Sequence, residues 1–323
     1  MAYFEAKDVS VAYQMPTRVI RAVDHVSFTL EKGQSLGLVG ESGSGKSTFG
    51  MAALRLLDEK TAAVTGQILL DGRDLLTLDD QALHLVRWQT LSAVFQKSMN
   101  ALSPVHKIGA QMADVYLCHK KTSKDEAKKR VLETLKLVGL GERVYNAYPH
   151  ELSGGMMQRT AIALSLLLSP EMIIFDEATT ALDRITQGQI LEQIVSLEKL
   201  LGLTRIMITH DISVVASTCT HIAVLYAGRL MEVGETRQVL SHPRHPYTKG
   251  LLGAFPSLTG EKKPLTGIPG TLPDLGQPIP GCPFAPRCAY AKRVCREEMP
   301  GVQTLPTGVR CACHFPLKED ADA

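Results

Sequence analysis

The chain has 323 residues, 45% hydrophobic and 5% aromatic, which allows one large domain with an appendage and a core built mainly from aliphatic side chains. Its 35 Lys and Arg against 33 Asp and Glu leave a formal charge of +2, which argues against a dominant nucleic-acid surface and against nucleic acid as a partner. No apolar run approaches the ~18 residues of a membrane span, and no basic segment followed by an apolar core opens the chain, so it reads as a soluble intracellular protein that meets a membrane only through a partner.

Residues 4–11 and 23–30 are rich in apolar and β-branched side chains and read as strands, and Glu31-Lys32-Gly33 turns the chain into a third strand over 35–39. That strand feeds Gly40-Glu41-Ser42-Gly43-Ser44-Gly45-Lys46-Ser47-Thr48, and the run from Lys46 to Leu57 has helical composition. Strand, glycine-rich loop and helix in this order make a phosphate cradle. Glycines let successive backbone N–H groups turn inward and leave room for phosphate oxygens, and the helix presents its positive end to the same anion. Lys46 is placed to reach the β- and γ-phosphates, and the Ser47 hydroxyl to enter a Mg²⁺ shell.

Between about 97 and 170 the pattern turns helical. Ser123 with Glu126 reads as a capping box, Ala127, Val131, Leu135 and Val138 share one apolar face, and Gly139 stops the helix. The basic run Lys120, Lys121, Lys124, Lys128, Lys129 and Arg130 is read as a solvated helix face. Leu152-Ser153-Gly154-Gly155-Met156-Met157-Gln158-Arg159 opens a further apolar helical run, and a buried-type strand at 172–175 runs into Asp176 and Glu177. Adjacent carboxylates on an extended chain alternate sides, so Asp176 suits Mg²⁺ coordination through water and Glu177 a general base for attack on the γ-phosphate. A helix over 185–200 and strands over 205–209 and 222–226 follow, which predicts a largely parallel α/β sheet. Residues 256–281, rich in Pro and Gly, read as a linker or surface-hugging arm.

Cys118 and Cys219 stand alone, whereas Cys282, Cys288, Cys295, Cys311 and Cys313 crowd into one C-terminal window. In a reducing compartment this clustering points to metal ligation, and four thiolates on an irregular segment suit a [4Fe–4S] cluster or Zn²⁺.

The phosphate loop, LSGGMMQR and the Asp-Glu pair in this order resemble the ABC ATPases. The resemblance implies an α/β fold with a P-loop NTPase (RecA-like) core, an antiparallel β subdomain and an inserted α-helical subdomain (97–170) within residues 1–255, followed by a Cys-rich extension over 256–323. It also implies ATP hydrolysis with Mg²⁺, Gln96 as the Q-loop glutamine touching the metal site, Ala181-Leu182-Asp183 as the D-loop, His210 as the switch histidine at the γ-phosphate, and Tyr13 as the aromatic stacking on adenine. Ser153, Gly154, Gly155 and Gln158 of the signature then act on the ATP of a second ATPase, so the working unit is a head-to-tail dimer around two nucleotides.

His245-Pro246-Tyr247-Thr248-Lys249-Gly250-Leu251-Leu252, Gly281-Cys282-Pro283-Phe284-Ala285-Pro286-Arg287-Cys288 and Met99-Asn100-Ala101-Leu102-Ser103-Pro104 are similar to ATPase subunits of oligopeptide, dipeptide and nickel importers. This resemblance selects Cys282, Cys288, Cys295 and Cys313 as cluster ligands, favours iron–sulfur over zinc and leaves Cys311 spare. It implies a subunit on the cytoplasmic face of the inner membrane, working with a related second ATPase, two permease subunits and an extracytoplasmic solute-binding protein, to take up peptides or a related solute. Two other readings of the same residues are a non-transport ABC ATPase and a cysteine-tail interaction module that regulates an ATPase.

Overall fold

The computed structural model describes residues 2–96, 101–180, 182–254 and 267–318. Met99 and Asn100 of the importer-like stretch, Ala181 of the D-loop and residues 256–266 of the Pro-rich arm lie outside the described residues. By internal contacts the chain forms two units: Met1–Thr77 with Met207–Ala323, and Leu78–Ile206.

The first unit opens with strands β1 (Phe4–Gln14), β2 (Val19–Leu30) and β3 (Ser35–Val39), helix α1 (Lys46–Ala53), and strands β4 (Ala62–Leu70) and β5 (Arg73–Asp74). An antiparallel sheet runs in the order β2-β1-β4-β5, with Tyr13 paired to Ile20 near the β1–β2 turn. Phe4 and Phe28 from this sheet meet Phe49 of α1, with ring centroids 5.1–6.4 Å apart. These rings dock the helix that follows the phosphate loop. The helix stops at Ala53, short of the expected Leu57, because Leu54 caps it and Arg55 enters the left-handed region at φ 51°.

The second unit holds α2 (Asp80–Val86), β6 (Leu91–Phe95), α3 (Ile108–His119), α4 (Lys124–Leu137), α5 (Arg143–Asn146), α6 (Gly154–Leu166), β7 (Met172–Asp176) and α7 (Arg184–Leu201). β6 and β7 pair in parallel. Ser123 Oγ caps α4 by accepting from the Glu126 N–H at 3.2 Å. The expected box is not reciprocal, since the Glu126 carboxylate accepts from the Thr122 hydroxyl instead. Ala127, Val131, Leu135 and Val138 are fully buried, and Gly139 leaves the helix at φ 69°. Arg130 departs from the solvated-face reading. Its Nε donates to Leu167 O at 2.8 Å and its Nη2 to Leu166 O at 3.1 Å, so it caps the negative end of α6.

Strand β8 (Thr204–Thr209) carries the chain back into the first unit, where α8 (Ile212–Thr218), β9 (His221–Tyr226), β10 (Arg229–Glu235), α9 (Thr236–Ser241), α10 (Pro246–Gly253), α11 (Arg293–Glu297), β11 (Gln303–Thr304) and β12 (Arg310–Cys311) follow. β3 is buried along its whole length and pairs in parallel with β9, but β10, β12 and β11 extend that side antiparallel. The sheet is therefore mixed. β10 follows β9 by a tight Ala227-Gly228 turn with positive φ at both residues, which allows only an antiparallel return.

Candidate nucleotide site and cysteine pocket

Within the first unit β3 ends at Val39 and the loop 40–45 leads into α1. Two of its glycines are required by close approach. A Cβ on Gly40 would fall 2.1 Å from Leu225 O, and one on Gly45, at φ 95°, would fall 2.1 Å from Ala22 O. The loop is also tied from beneath, where the Gly228 N–H donates to Ser44 O at 3.1 Å. Lys46, almost wholly buried, donates from Nζ to Gly40 O and Glu41 O at 2.8 Å each and to Ser44 Oγ at 3.3 Å. The ammonium thus braces the curve of the loop from inside, at the place where a phosphate chain is expected. Ser42, Gly43 and Ser47 are exposed along it. Tyr13 is half-buried, and its hydroxyl donates to Thr48 Oγ1 at 3.5 Å, which puts the sequence-predicted adenine contact beside the loop helix. His210 follows β8 on the surface, and Asp211 behind it caps α8 by accepting from the Ser213 N–H at 2.9 Å.

The second unit carries the carboxylates. Asp176 is the last residue of β7 and is buried. Glu177 is not on an extended chain: its φ is 48°, so the backbone turns left-handed there and this turn, not strand alternation, parts the two side chains. A left-handed glutamate is rare and costs energy, and the cost is borne where the chemistry is expected. A hydrogen-bonded chain supports the turn. The Gln96 Nε2 donates to Thr180 Oγ1 at 3.4 Å, and the same hydroxyl donates to Glu177 O at 2.9 Å. Thr180 had no signal in the sequence, because its role depends on the turn. Asp176 offers oxygen donors of the kind Mg²⁺ prefers.

Ser153 caps α6, accepting from the Met156 N–H at 3.3 Å, with Gly154 and Gly155 as the first helical residues. A Cβ on Gly155 would lie 2.7 Å from Thr186 Cγ2, so the glycine lets α6 and α7 start close together. Asp183 caps α7, accepting from the Ile185 and Thr186 N–H groups at 3.1 and 3.0 Å. Hydrogen bonds from Thr186 hold its carboxyl below the usual range. Two helix N-termini, Ser153, Gly154, Gly155, Arg143, Arg159 and Asp183 line an open groove of about 560 Å³, a site suited to anions. Gln158 does not share it, because it is almost fully buried on the inner side of α6.

In the first unit Cys282, Cys288, Cys295 and Cys313 line one pocket together with Phe284, Tyr290, His314 and Phe315. Burial pushes the Cys282 thiol up to about 11 and raises those of Cys288 and Cys313. Cys311, in β12, is fully buried and is not part of the pocket wall. Among the described residues no three His, Cys, Asp or Glu side chains converge as a single metal ion would require.

The family of ABC transporters matches residues 23–180, and that of the oligopeptide/dipeptide transporter C-terminal region matches 231–295. A probable peptide ABC transporter ATP-binding protein of Sinorhizobium fredii is 42% identical over 96% of this chain and 93% of its own length. The oligopeptide transport ATP-binding protein OppD of Escherichia coli is 40% identical over 98% and 94%. Among solved structures, a post-hydrolysis dimer of the ATP-binding cassette MJ0796 with ADP and Pi shares 31% identity at TM-score 0.64, covering 72% of this chain and 99% of that one. These likenesses favour a transport subunit over a non-transport ATPase. No helix among the described residues is long and apolar enough to cross a membrane. With its phosphate loop, signature groove and importer-type C-terminal region, the chain belongs to the ABC transporter family and is one of its ATP-hydrolysing subunits.

Proposed function

We propose that the chain powers the import of di- and oligopeptides or a related solute, from the cytoplasmic face of the inner membrane. It works in this reading with a second, related ATPase, two permease subunits and an extracytoplasmic solute-binding protein. The observation that carries the reading is the near full-length likeness to peptide transport subunits, C-terminal region included.

Each chain residue has a distinct task. The loop N–H groups of 40–48 and Lys46 hold the β- and γ-phosphates, and Tyr13 stacks on the base. Mg²⁺ would be held by Ser47, Gln96 and, through water, Asp176, and would neutralise charge on those phosphates. Glu177 takes the proton of the attacking water, and His210 contacts the γ-phosphate and fixes its orientation. Ser153, Gly154 and Gly155 offer their helix end to the ATP of the partner ATPase, with Asp183 beside them. Glu177→Gln is expected to keep ATP binding, to abolish turnover and to accumulate an ATP-loaded dimer; undiminished phosphate release from that variant would remove Glu177 from its role. Uptake of labelled di- and tripeptides by vesicles holding the reconstituted complex tests the solute class.

The extension is read as a domain stapled by a [4Fe–4S] cluster on Cys282, Cys288, Cys295 and Cys313. What supports this is the common pocket of the four thiols, together with the resemblance of their sequence pattern to the importer tail. Anaerobic purification followed by iron, sulfide and zinc analysis tests it, and a colourless protein with stoichiometric zinc would refute it.

A further inference from the structure

Arg287 belongs to the C-terminal extension, yet its guanidinium lies against the phosphate loop. Its Nη1 donates to both carboxylate oxygens of Glu41, at 3.0 and 2.9 Å, and to the Tyr226 hydroxyl at 3.1 Å. Nε donates to Pro269 O at 2.7 Å and Nη2 to Ile268 O at 3.1 Å, so every nitrogen of the group is engaged. The side chain is 7% exposed. Glu41 is gripped at its backbone as well, since its N–H donates to the Tyr247 hydroxyl at 3.0 Å. Tyr226 and Tyr247 meet at 4.6 Å between ring centroids, and Phe284 of the extension packs on both at 5.3 and 5.2 Å.

The electrostatics explain why this clamp matters. Glu41 is the second residue of a loop whose task is to hold a triphosphate of several negative charges. A free carboxylate there repels the ligand, and the repulsion is strong near a low-dielectric wall. The guanidinium is always charged, and it donates to both Glu41 oxygens and to the Tyr226 hydroxyl. An Arg–carboxylate pair of this kind also fixes where the carboxylate sits.

We propose that Arg287 is a positioning residue of the nucleotide site: it neutralises and anchors Glu41, so that the C-terminal extension sets the affinity of the phosphate loop for MgATP. The inference rests on the ATPase assignment. It makes the extension part of the catalytic apparatus by charge, without contact to the nucleotide.

The test uses the full chain, with MgATP binding and steady-state hydrolysis measured side by side. Arg287→Met is expected to raise KM and Kd for MgATP about tenfold while kcat changes by less than about twofold. Adding Glu41→Gln to that variant removes the uncompensated charge and is expected to return the affinity to within about twofold of wild type. Glu41→Gln alone, which leaves the charge of Arg287 unbalanced near the loop, is expected to tighten MgATP about threefold and to steepen the salt dependence. An affinity unchanged in Arg287→Met overturns the proposal, as does a defect that persists in the double variant, which would make Arg287 a staple of the extension alone. Should Arg287→Met not fold, Glu41→Gln decides: weaker or unchanged binding overturns the proposal. A wild-type chain that binds no MgATP at all would overturn the ATPase assignment, and this inference with it.

Discussion

Lys46 directs its ammonium at the carbonyls of Gly40 and Glu41 and at the Ser44 hydroxyl, so it holds the curve of the loop as well as the phosphates proposed to lie there. Removing it therefore has two effects. Lys46→Ala is expected to cut ATP hydrolysis at least about 100-fold and to lower unfolding stability by about 1–2 kcal/mol, read by phosphate release and urea titration. Lys46→Arg should not restore hydrolysis, because a planar guanidinium does not fit inside a loop shaped around one nitrogen. In the second unit, His119 stacks on His84 at 4.6 Å. Burial, then the nearby His84 and Lys120, pull His119 below its ordinary 6.5. The unfolded chain thus binds the proton more readily, so stability is full above pH 6.5 and falls as pH drops through the window beneath it. The slope is less than about 1.4 kcal/mol per pH unit, the limit for one proton. His119→Gln should flatten that slope in unfolding curves taken between pH 5 and 7.5; an unaltered slope would discard the assignment.

Elements in this protein approach each other through missing side chains. A Cβ on Gly37 of β3 would lie 2.3 Å from Val215 Cγ1, so α8 rests directly on the strand that delivers the phosphate loop. Gly37→Ala is expected to cost about 1–3 kcal/mol through overpacking, and Val215→Ala in the same chain should recover most of it, as measured by a double-mutant cycle in urea. Helix α7 is tied to β8 by charge: Glu198 accepts from Arg205 Nε at 2.7 Å, and the arginine side chain is only 2% exposed. Glu198→Ala removes a charged hydrogen-bond partner from that buried guanidinium and is expected to destabilise the chain by about 1–3 kcal/mol.

For the whole molecule the groove at Ser153 is the feature with consequences beyond a single chain. Ser153→Asp preserves the cap of α6, since aspartate caps as well as serine, but places a negative charge where the partner's γ-phosphate is proposed to dock. Turnover of the assembled ATPase pair is expected to fall at least about 100-fold, with MgATP binding at the chain's own phosphate loop and the thermal midpoint retained. Retained turnover would detach the groove from the partner's nucleotide.

The phosphate loop, the apolar face of α4 and the stop at Gly139 were legible in the amino-acid order because each is decided within a few residues: glycine spacing, helical period, a cap. The strands over 35–39, 172–175 and 222–226 were legible for the same reason. The left-handed turn at Glu177, the burial of Gln158 and the use of Arg130 as a cap for α6 were not, since each depends on a neighbour brought in from elsewhere. The clamp of Arg287 on Glu41 spans 246 positions of chain. Local patterns thus settled which groups this protein carries, and long-range packing alone decided which of them touch, because hydrogen bonds and charge pairs act over a few ångströms whatever the distance along the chain.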